Sequence, residues 1–543
     1  MNKMNKYKFL ICMCALSLCV SCDYEDINTD ATGMTEEEGN RDGFAVGGKV
    51  VTMQRTVIPV GTQADDTHVI NAYQIGYNLS MDCWSGFFGQ NNDWGGNANP
   101  TYFLKDSWIK TTYTHSYTNA LAPWKRLKTQ AEKTGKPEIY SFAQILKISA
   151  WHKALECFGP IPYSHAADAV MDIPFDSEKD IYTAMLADLK AAVDELTPKA
   201  EAGVKLFEDF DVLYAGDLKK WVKYANSLML RLAMRVRFAD ETMAKTYAQY
   251  AIENSIGVMT AADDAAQVSK GAGMTFRNNI NWLATQYNET RMGSSMYSYL
   301  MGYKDPRLSK YFLPVNDKCN AGVQAFDGQK YQAVPAGHRN GQNKVYELFS
   351  MPNIVDDTPT YWMRASEVYF LRAEAALVWG NAFGDAAQLY KDGVKMSFDE
   401  NSISQSVDSY LNTDNVPMEH KVEGPFGGSF GKPKAVTPKF EGSMEEKFEK
   451  IMIQKWISLY PNGLEAWTEW RRTGYPELNP VVVNEGSSMG ATKEGGIRRM
   501  IYPASFQESE GSKAVYQEAL QKLGRPDRCD SRLWWDCNPH VKL

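Results

Sequence analysis

Cysteine is scarce in this chain of 543 residues, and much of it lies at one end. Of nine cysteines, Cys12, Cys14, Cys19 and Cys22 sit at the N-terminus. The others are Cys83, Cys157, Cys319, Cys529 and Cys537. They form no CxxC, which excludes a zinc ribbon or a thioredoxin-type motif. Cys529 and Cys537, in "CDSRLWWDC", either pair in an oxidising compartment or remain two packed thiols. The seven histidines are scattered, with no HExxH or HxH spacing, so no transition-metal site is expected. Positive charge is also in deficit: 58 Lys+Arg stand against 66 Asp+Glu, a net charge of −8. Such a surface repels nucleic acid, and no nucleic-acid partner is expected. No apolar run reaches the roughly 20 residues of a membrane-spanning helix.

What is present at the N-terminus is an export signal. Lys3, Lys6 and Lys8 precede an apolar stretch at 9–20, too short to span a bilayer and suited to a signal peptide. Ser21-Cys22 resembles the lipobox of bacterial lipoproteins, although Cys19 stands where leucine is usual. That resemblance implies lipidation of Cys22 as the new N-terminus and a membrane anchor; plain secretory cleavage nearby is the alternative. Residues 1–21 are thus the signal, and 22–40 an acidic tether with Asp23, Glu25, Asp26 and Asp30. A similar acidic run marks some Gram-negative lipoproteins for the cell surface. Loss of 1–21 removes three lysines and no acids, which moves the net charge from −8 to −11. Residues 41–543 are expected to form a single domain.

Strong helical periodicity recurs in pairs. Segment 138–159 places Ile145, Ile148, Trp151 and Leu155 on one face, and 177–196 starts at Ser177 and repeats Ile181, Met185, Leu189 and Val193. Segments 217–238, capped by Asp217, and 241–254 form a second pair. The third, 361–380 and 385–398, reads as a tetratricopeptide-like unit, in which Ala373, Ala375 and Ala376 admit a helix bearing Ala386, Ala387 and Tyr390. Segments 444–460 and 463–472 are the fourth. The expected fold is mostly α, with about four tetratricopeptide-like pairs as a scaffold. A large irregular ligand-binding region would occupy 60–137, 257–360, 399–442 and 473–510, where function tends to sit. Trp221, Trp362, Trp456, Trp467 and Trp470 recur at helical spacing and read as core. Arg364, Arg372, Arg471 and Arg472 read as partners of Glu367, Glu374, Glu465 and Glu469 on the same helices.

Six segments, in order, resemble the SusD/RagB family of outer-membrane nutrient-binding lipoproteins. They are "FGPIPYSHA" (158–166), "LYAGDLKKWVKYANSLMLRLAMR" (213–235), "YKDPRLSKYF" (303–312), "YWMRASEVYFLRAEAALVWG" (361–380), "QKWISLYPNGLEAWTEWRRTGYP" (454–476) and "IRRMIYPASFQ" (497–507). The resemblance implies a non-catalytic protein that lies as a lid on a SusC-like TonB-dependent transporter. It would deliver oligosaccharides or, in some branches, peptides.

Catalytic motifs are weak. "GGSFG" (427–431) has the G-x-S-x-G pattern around Ser429 but lies between Pro425 and Pro433, in loop rather than between strand and helix. The acid pairs Asp65-Asp66, Asp263-Asp264 and Asp356-Asp357 fall in loops without EF-hand spacing. Sequence leaves a surface glycoside hydrolase or a protein-only scaffold as alternatives; no metal or cofactor is expected. Two inserts mix aromatic rings with amides as sugar recognition requires: 81–103, around "SGFFGQNNDWGGN", and 276–292. The expected ligand-binding residues are Trp84, Asn91, Asn92, Asp93, Trp94, Asn281, Trp282, Tyr287 and Arg291, and Trp94 either faces solvent beside Trp282 or folds back under its own glycines. If Cys22 carries the anchor, Cys22→Ala moves the protein from the membrane to the soluble fraction on fractionation. Retention in the membrane fraction would refute the anchor.

Overall fold

Helices here begin at side chains that supply a missing backbone partner. In this computed structural model, the Ser177 hydroxyl accepts from the Asp180 N–H, Asp217 from Lys219 and Lys220, and Ser443 from Glu446 in a reciprocal capping box. Each satisfies a backbone donor that would otherwise be orphaned, at about 1 kcal/mol. The structure describes residues 44–63, 69–170, 172–270, 276–315, 331–423 and 426–541. The leader 1–21, Cys22, the tether 22–40, His68, Asp65-Asp66 and Cys319 lie outside the described residues.

Helix α1 is Phe44–Val57, α2 Asn119–Thr134, α3 Pro137–Phe158, α4 Glu178–Glu201, α5 Leu218–Arg235 and α6 Glu241–Glu253. Then come α7 Asn279–Thr285, α8 Ala365–Trp379, α9 Ala386–Glu400, α10 Met444–Leu459 and α11 Gly463–Thr473. The pairs α3·α4, α5·α6, α8·α9 and α10·α11 pack side by side, and α3 also packs on α2. Helix α2 falls within a segment expected to be irregular; Pro123 inside it removes only one ladder bond and does not end the helix. In α8·α9, Ala373, Ala375 and Ala376 are buried as expected, but Ala387 is exposed. Gly393 makes the close approach instead: a Cβ there would lie 2.8 Å from the Phe370 ring. Lys49–Leu543 is one compact unit; of Met1–Gly48 only the start of α1 is described.

Among the described residues, shorter helices and a C-terminal helix, Glu510–Leu523, accompany these helices, and the strands form three two-stranded antiparallel ribbons: β1 Phe88–Gln90 with β3 Thr290–Met292, β2 Ala266–Val268 with β4 Thr360–Met363, and β5 Lys421–Val422 with β6 Gly428–Ser429. Ser429 lies on the exposed β6 and no helix follows until Met444, so the G-x-S-x-G elbow is not formed. Cys529 is buried, Cys537 is exposed, and both are free thiols.

The helices are tied together by buried charge. Arg235, fully buried on α5, donates to Glu156 of α3 at 2.9 Å and to Glu465 at 2.5 Å and Glu469, both of α11. Arg231 reaches Glu367 of α8 at 2.6 Å. Arg472 bridges Glu374 and Glu469, each at 2.7 Å, and Lys455 meets Glu469 at 2.8 Å. The sequence suggested pairing within α8 and α11. Only Arg472–Glu469 follows that pattern; Glu367 and Glu465 take their cations from α5, Glu374 takes Arg472 of α11 and Arg237, and Glu469 also takes Lys455 of α10. Arg471 lies over Trp467 at 3.4 Å and donates to carbonyls, while Arg364 and Arg372 lie over Tyr361 and Tyr369. Burial would raise the Glu469 carboxyl, but Arg472, Lys455 and Arg235 outweigh it and hold it well below its usual range. Removing one member leaves buried charge unpaired, which costs about 3–5 kcal/mol. Arg235→Met is therefore expected to lower the urea midpoint by that free energy; an unchanged midpoint would contradict the role given to this network.

Candidate functional site

The β1·β3 ribbon joins the two inserts that the sequence singled out. Gln90 faces Thr290, so the chain leaving β1 runs beside the chain entering β3. Asn91 is fully buried at this junction. Its N–H donates to the Glu289 carbonyl at 2.7 Å, its Nδ2 to the Asn288 carbonyl at 3.2 Å, and its Oδ1 accepts from the Tyr346 N–H at 3.0 Å. Asn92 Oδ1 accepts from the Trp94 N–H at 2.9 Å, and its Nδ2 reaches Glu289 at 3.5 Å. Asp93 accepts from the Gly95 and Gly341 N–H groups.

Four successive residues are left-handed: Trp94 (φ 55°), Gly95 (68°), Gly96 (81°) and Asn97 (47°). For Trp94 and Asn97 this conformation is strained, and such strain persists only where neighbours impose it. Arg339 is one such neighbour. It donates to the Gly95 carbonyl at 3.2 Å and pairs with Glu485, and its guanidinium occupies the space a Cβ on Gly96 would need. Glu485 in turn accepts from the Asn97 N–H at 2.6 Å and from Thr101 Oγ1 at 2.5 Å.

Under this clamped loop lies a cavity of about 640 Å³, within the range of small-molecule sites. Asn92, Asp93 and Tyr102 line one side. Trp470, Tyr475, Leu478 and Val481, from the end of α11 and the loop beyond it, line another, with Lys493 and Glu494 nearby. Trp470 and Tyr102 are half-buried and converge: a Cβ on Gly496 would sit 3.1 Å from Trp470 Cη2 and 3.5 Å from Tyr102 Oη. Half-buried rings beside polar groups suit the apolar C–H face and hydroxyl rim of a saccharide. His338 is buried against the Gln90 carbonyl at 2.5 Å; burial lowers its pKa and keeps the ring neutral.

The SusD-like family model, described as SusD and RagB outer membrane lipoprotein, matches residues 26–536. The chain belongs to the SusD family of outer-membrane lipoproteins. Its described residues contain no helix long and apolar enough to cross a membrane. It is 32% identical to the solved structure of BT1043, with a TM-score of 0.83 over 92% of this chain and 99% of that one. A chitin-binding SusD homologue from Flavobacterium johnsoniae is 31% identical, with a TM-score of 0.82 over 91% and 99%. A SusD homologue from Bacteroides uniformis is 29% identical, with a TM-score of 0.80 over 91% and 100%. No curated protein matches the chain significantly.

Within this SusD-family fold the residues expected from the sequence separate into groups. Asn92 and Asp93 line the cavity. Tyr287 joins their side of the ribbon, its hydroxyl held by Gln63 at 2.9 Å and Asn71 at 2.8 Å. Three expectations need correction. Trp84 is 5% exposed, its Nε1 donates to the Asn99 carbonyl at 2.8 Å, and its ring packs 5.1 Å from Trp467, so it forms cavity wall without a free face. Arg291 is fully buried and spends its donors on the carbonyls of Glu347, Ala284 and Thr290 and on Asn288. Asn91 is a backbone strut, as above. Of the two arrangements open to Trp94, the structure shows its ring meeting Trp108 edge-on at 5.6 Å and packing on the Leu79, Ala98 and Trp108 cluster. Trp282 lies near Arg277, and Asn281 donates to Asp356 at 2.7 Å. Trp470 was missed because its spacing from Trp467 read as core. The available signal was its place in the last turn of α11, just before Gly474 ends the helix.

Glu289, beneath Asn92, is pushed up to about 7 by burial, against which the hydrogen bonds from Asn92 and Gln74 are weaker. Its folded pKa thus lies above the ordinary value of 4.5. The neutral acid favours the fold below about 4.5, and that contribution is lost as pH rises through about 7. Relative to Glu289→Gln, the wild type should lose stability across that window and run parallel above it in urea titrations. Parallel curves throughout would contradict the shift.

Proposed function

We propose that this SusD-family lipoprotein is a surface-exposed, lipid-anchored binding protein. It captures oligosaccharides without turning them over and passes them to a SusC-like TonB-dependent transporter. The observation that carries the reading is the cavity under the 91–97 loop, where Trp470 and Tyr102 converge over polar neighbours. The chitin-binding homologue at 31% identity supports glycan over peptide as cargo and binding over catalysis. Family membership supports the outer-membrane anchor. Recognition would run through stacking on Trp470, with Tyr102 as the second wall and Asn92 and Asp93 as hydrogen-bonding rim.

In isothermal titration with N-acetylglucosamine oligomers, Trp470→Ala is expected to weaken binding at least ten-fold, about 1.4 kcal/mol, with an unchanged circular dichroism spectrum. Trp84→Phe, in the wall, should change it far less. Equal affinities for wild type and Trp470→Ala would remove the cavity from the proposal.

A further inference from the structure

The charge lining the cavity bears on which saccharides it takes. Four carboxylates line it, those of Asp93, Glu449, Glu477 and Glu494, against two ammonium groups, Lys434 and Lys493. Lys434 Nζ pairs with Glu449 at 2.9 Å, so that these two charges offset each other, and the exposed Lys493, whose Nζ donates to the Val482 carbonyl at 2.9 Å, keeps its charge against Asp93, Glu477 and Glu494. Two guanidinium groups lie close by: Arg339 is held by Glu485 and the Gly95 carbonyl and lies 3.8 Å from Asp93, and Arg498, 5.4 Å from the Trp470 ring, is paired with Asp536. His338 is kept neutral by burial. On the acidic side, Glu477 and Glu494 are exposed at the lining; Glu477 accepts from the Lys434 N–H at 3.0 Å.

An anionic sugar entering this cavity would leave water for a lining with a formal excess of two negative charges. Two like charges 4 Å apart repel by about 1 kcal/mol even in bulk water and more near protein. Discrimination built on such repulsion needs no added contact to the preferred ligand. We infer that the cavity is an electrostatic filter: it admits neutral and amino saccharides and rejects glycans bearing uronate or sulfate groups. The selectivity rests on the glycan-binding reading above, but it is a separate claim.

The test is titration of the full mature protein with three probes at low and high salt: N-acetylglucosamine oligomers, their deacetylated cationic counterparts, and oligogalacturonates of equal length. The filter predicts that oligogalacturonates bind at least ten-fold more weakly than the other two. The gap should shrink several-fold in the Glu477→Gln/Glu494→Gln double variant, and likewise at high salt. Oligogalacturonate binding as tight as that of the neutral oligomer would overturn the filter and leave glycan binding standing. So would a gap that ignores both the double variant and salt. Failure of all three probes to bind would overturn the filter and the glycan reading together.

Discussion

The buried ion network between α5, α3, α8, α10 and α11 is the constraint on which the rest of the molecule depends. Charges are costly to bury, and the cost is met only when every carboxylate finds its cation in good geometry. Here the geometry is exacting: one guanidinium, Arg235, serves carboxylates of two different helices, and Glu374 receives both Arg237 and Arg472. Apolar packing of such helices would tolerate small slips. A network of directional bonds fixes α11 against α5 and α8. Because Trp470 lies one residue from Arg471 and two from Arg472, the same contacts that fix α11 also aim the ring that faces the cavity.

The second constraint is local. The 85–97 segment pairs Phe88–Gln90 with Thr290–Met292 and then turns through four left-handed residues. Glycine supplies two of them at no steric cost. The other two are imposed by Asp93, which caps the turn, and by the Arg339–Glu485 pair, which ties the turn to the 337–341 and 481–485 segments. The loop over the cavity is therefore held from three sides, and the polar atoms of Asn92 and Asp93 reach the cavity on a preorganised backbone.

Much of the scaffold was legible. Capping residues such as Ser177 and Asp217, and four-residue apolar spacing, depend on neighbours close in sequence, so they survive without knowledge of the fold. The two inserts that the β1·β3 ribbon joins were also visible as composition. Individual roles were not, because each turns on contacts distant in sequence. Trp84 and Trp94 look alike on paper; Asn99 and Trp467 claim one, Trp108 the other. Arg291 looked like a ligand for hydroxyls, yet the carbonyl of Glu347, 56 residues away, takes its guanidinium. The partners of Arg231 and Arg235 lie 79 to 234 residues off, beyond any i±3 rule. Trp470 shows the same limit in reverse: its periodicity matches a core tryptophan, and only the position of the helix end separates it from Trp467.

The central claim is that the cavity between the 91–97 loop and the end of α11 holds the saccharide. The most direct measurement is a crystal structure of the mature protein with an N-acetylglucosamine trimer. The account predicts a sugar ring stacked on Trp470, with Tyr102 beside it and hydroxyls within hydrogen-bonding distance of Asn92 or Asp93. A trimer bound on another face, with this cavity holding only water, would contradict it.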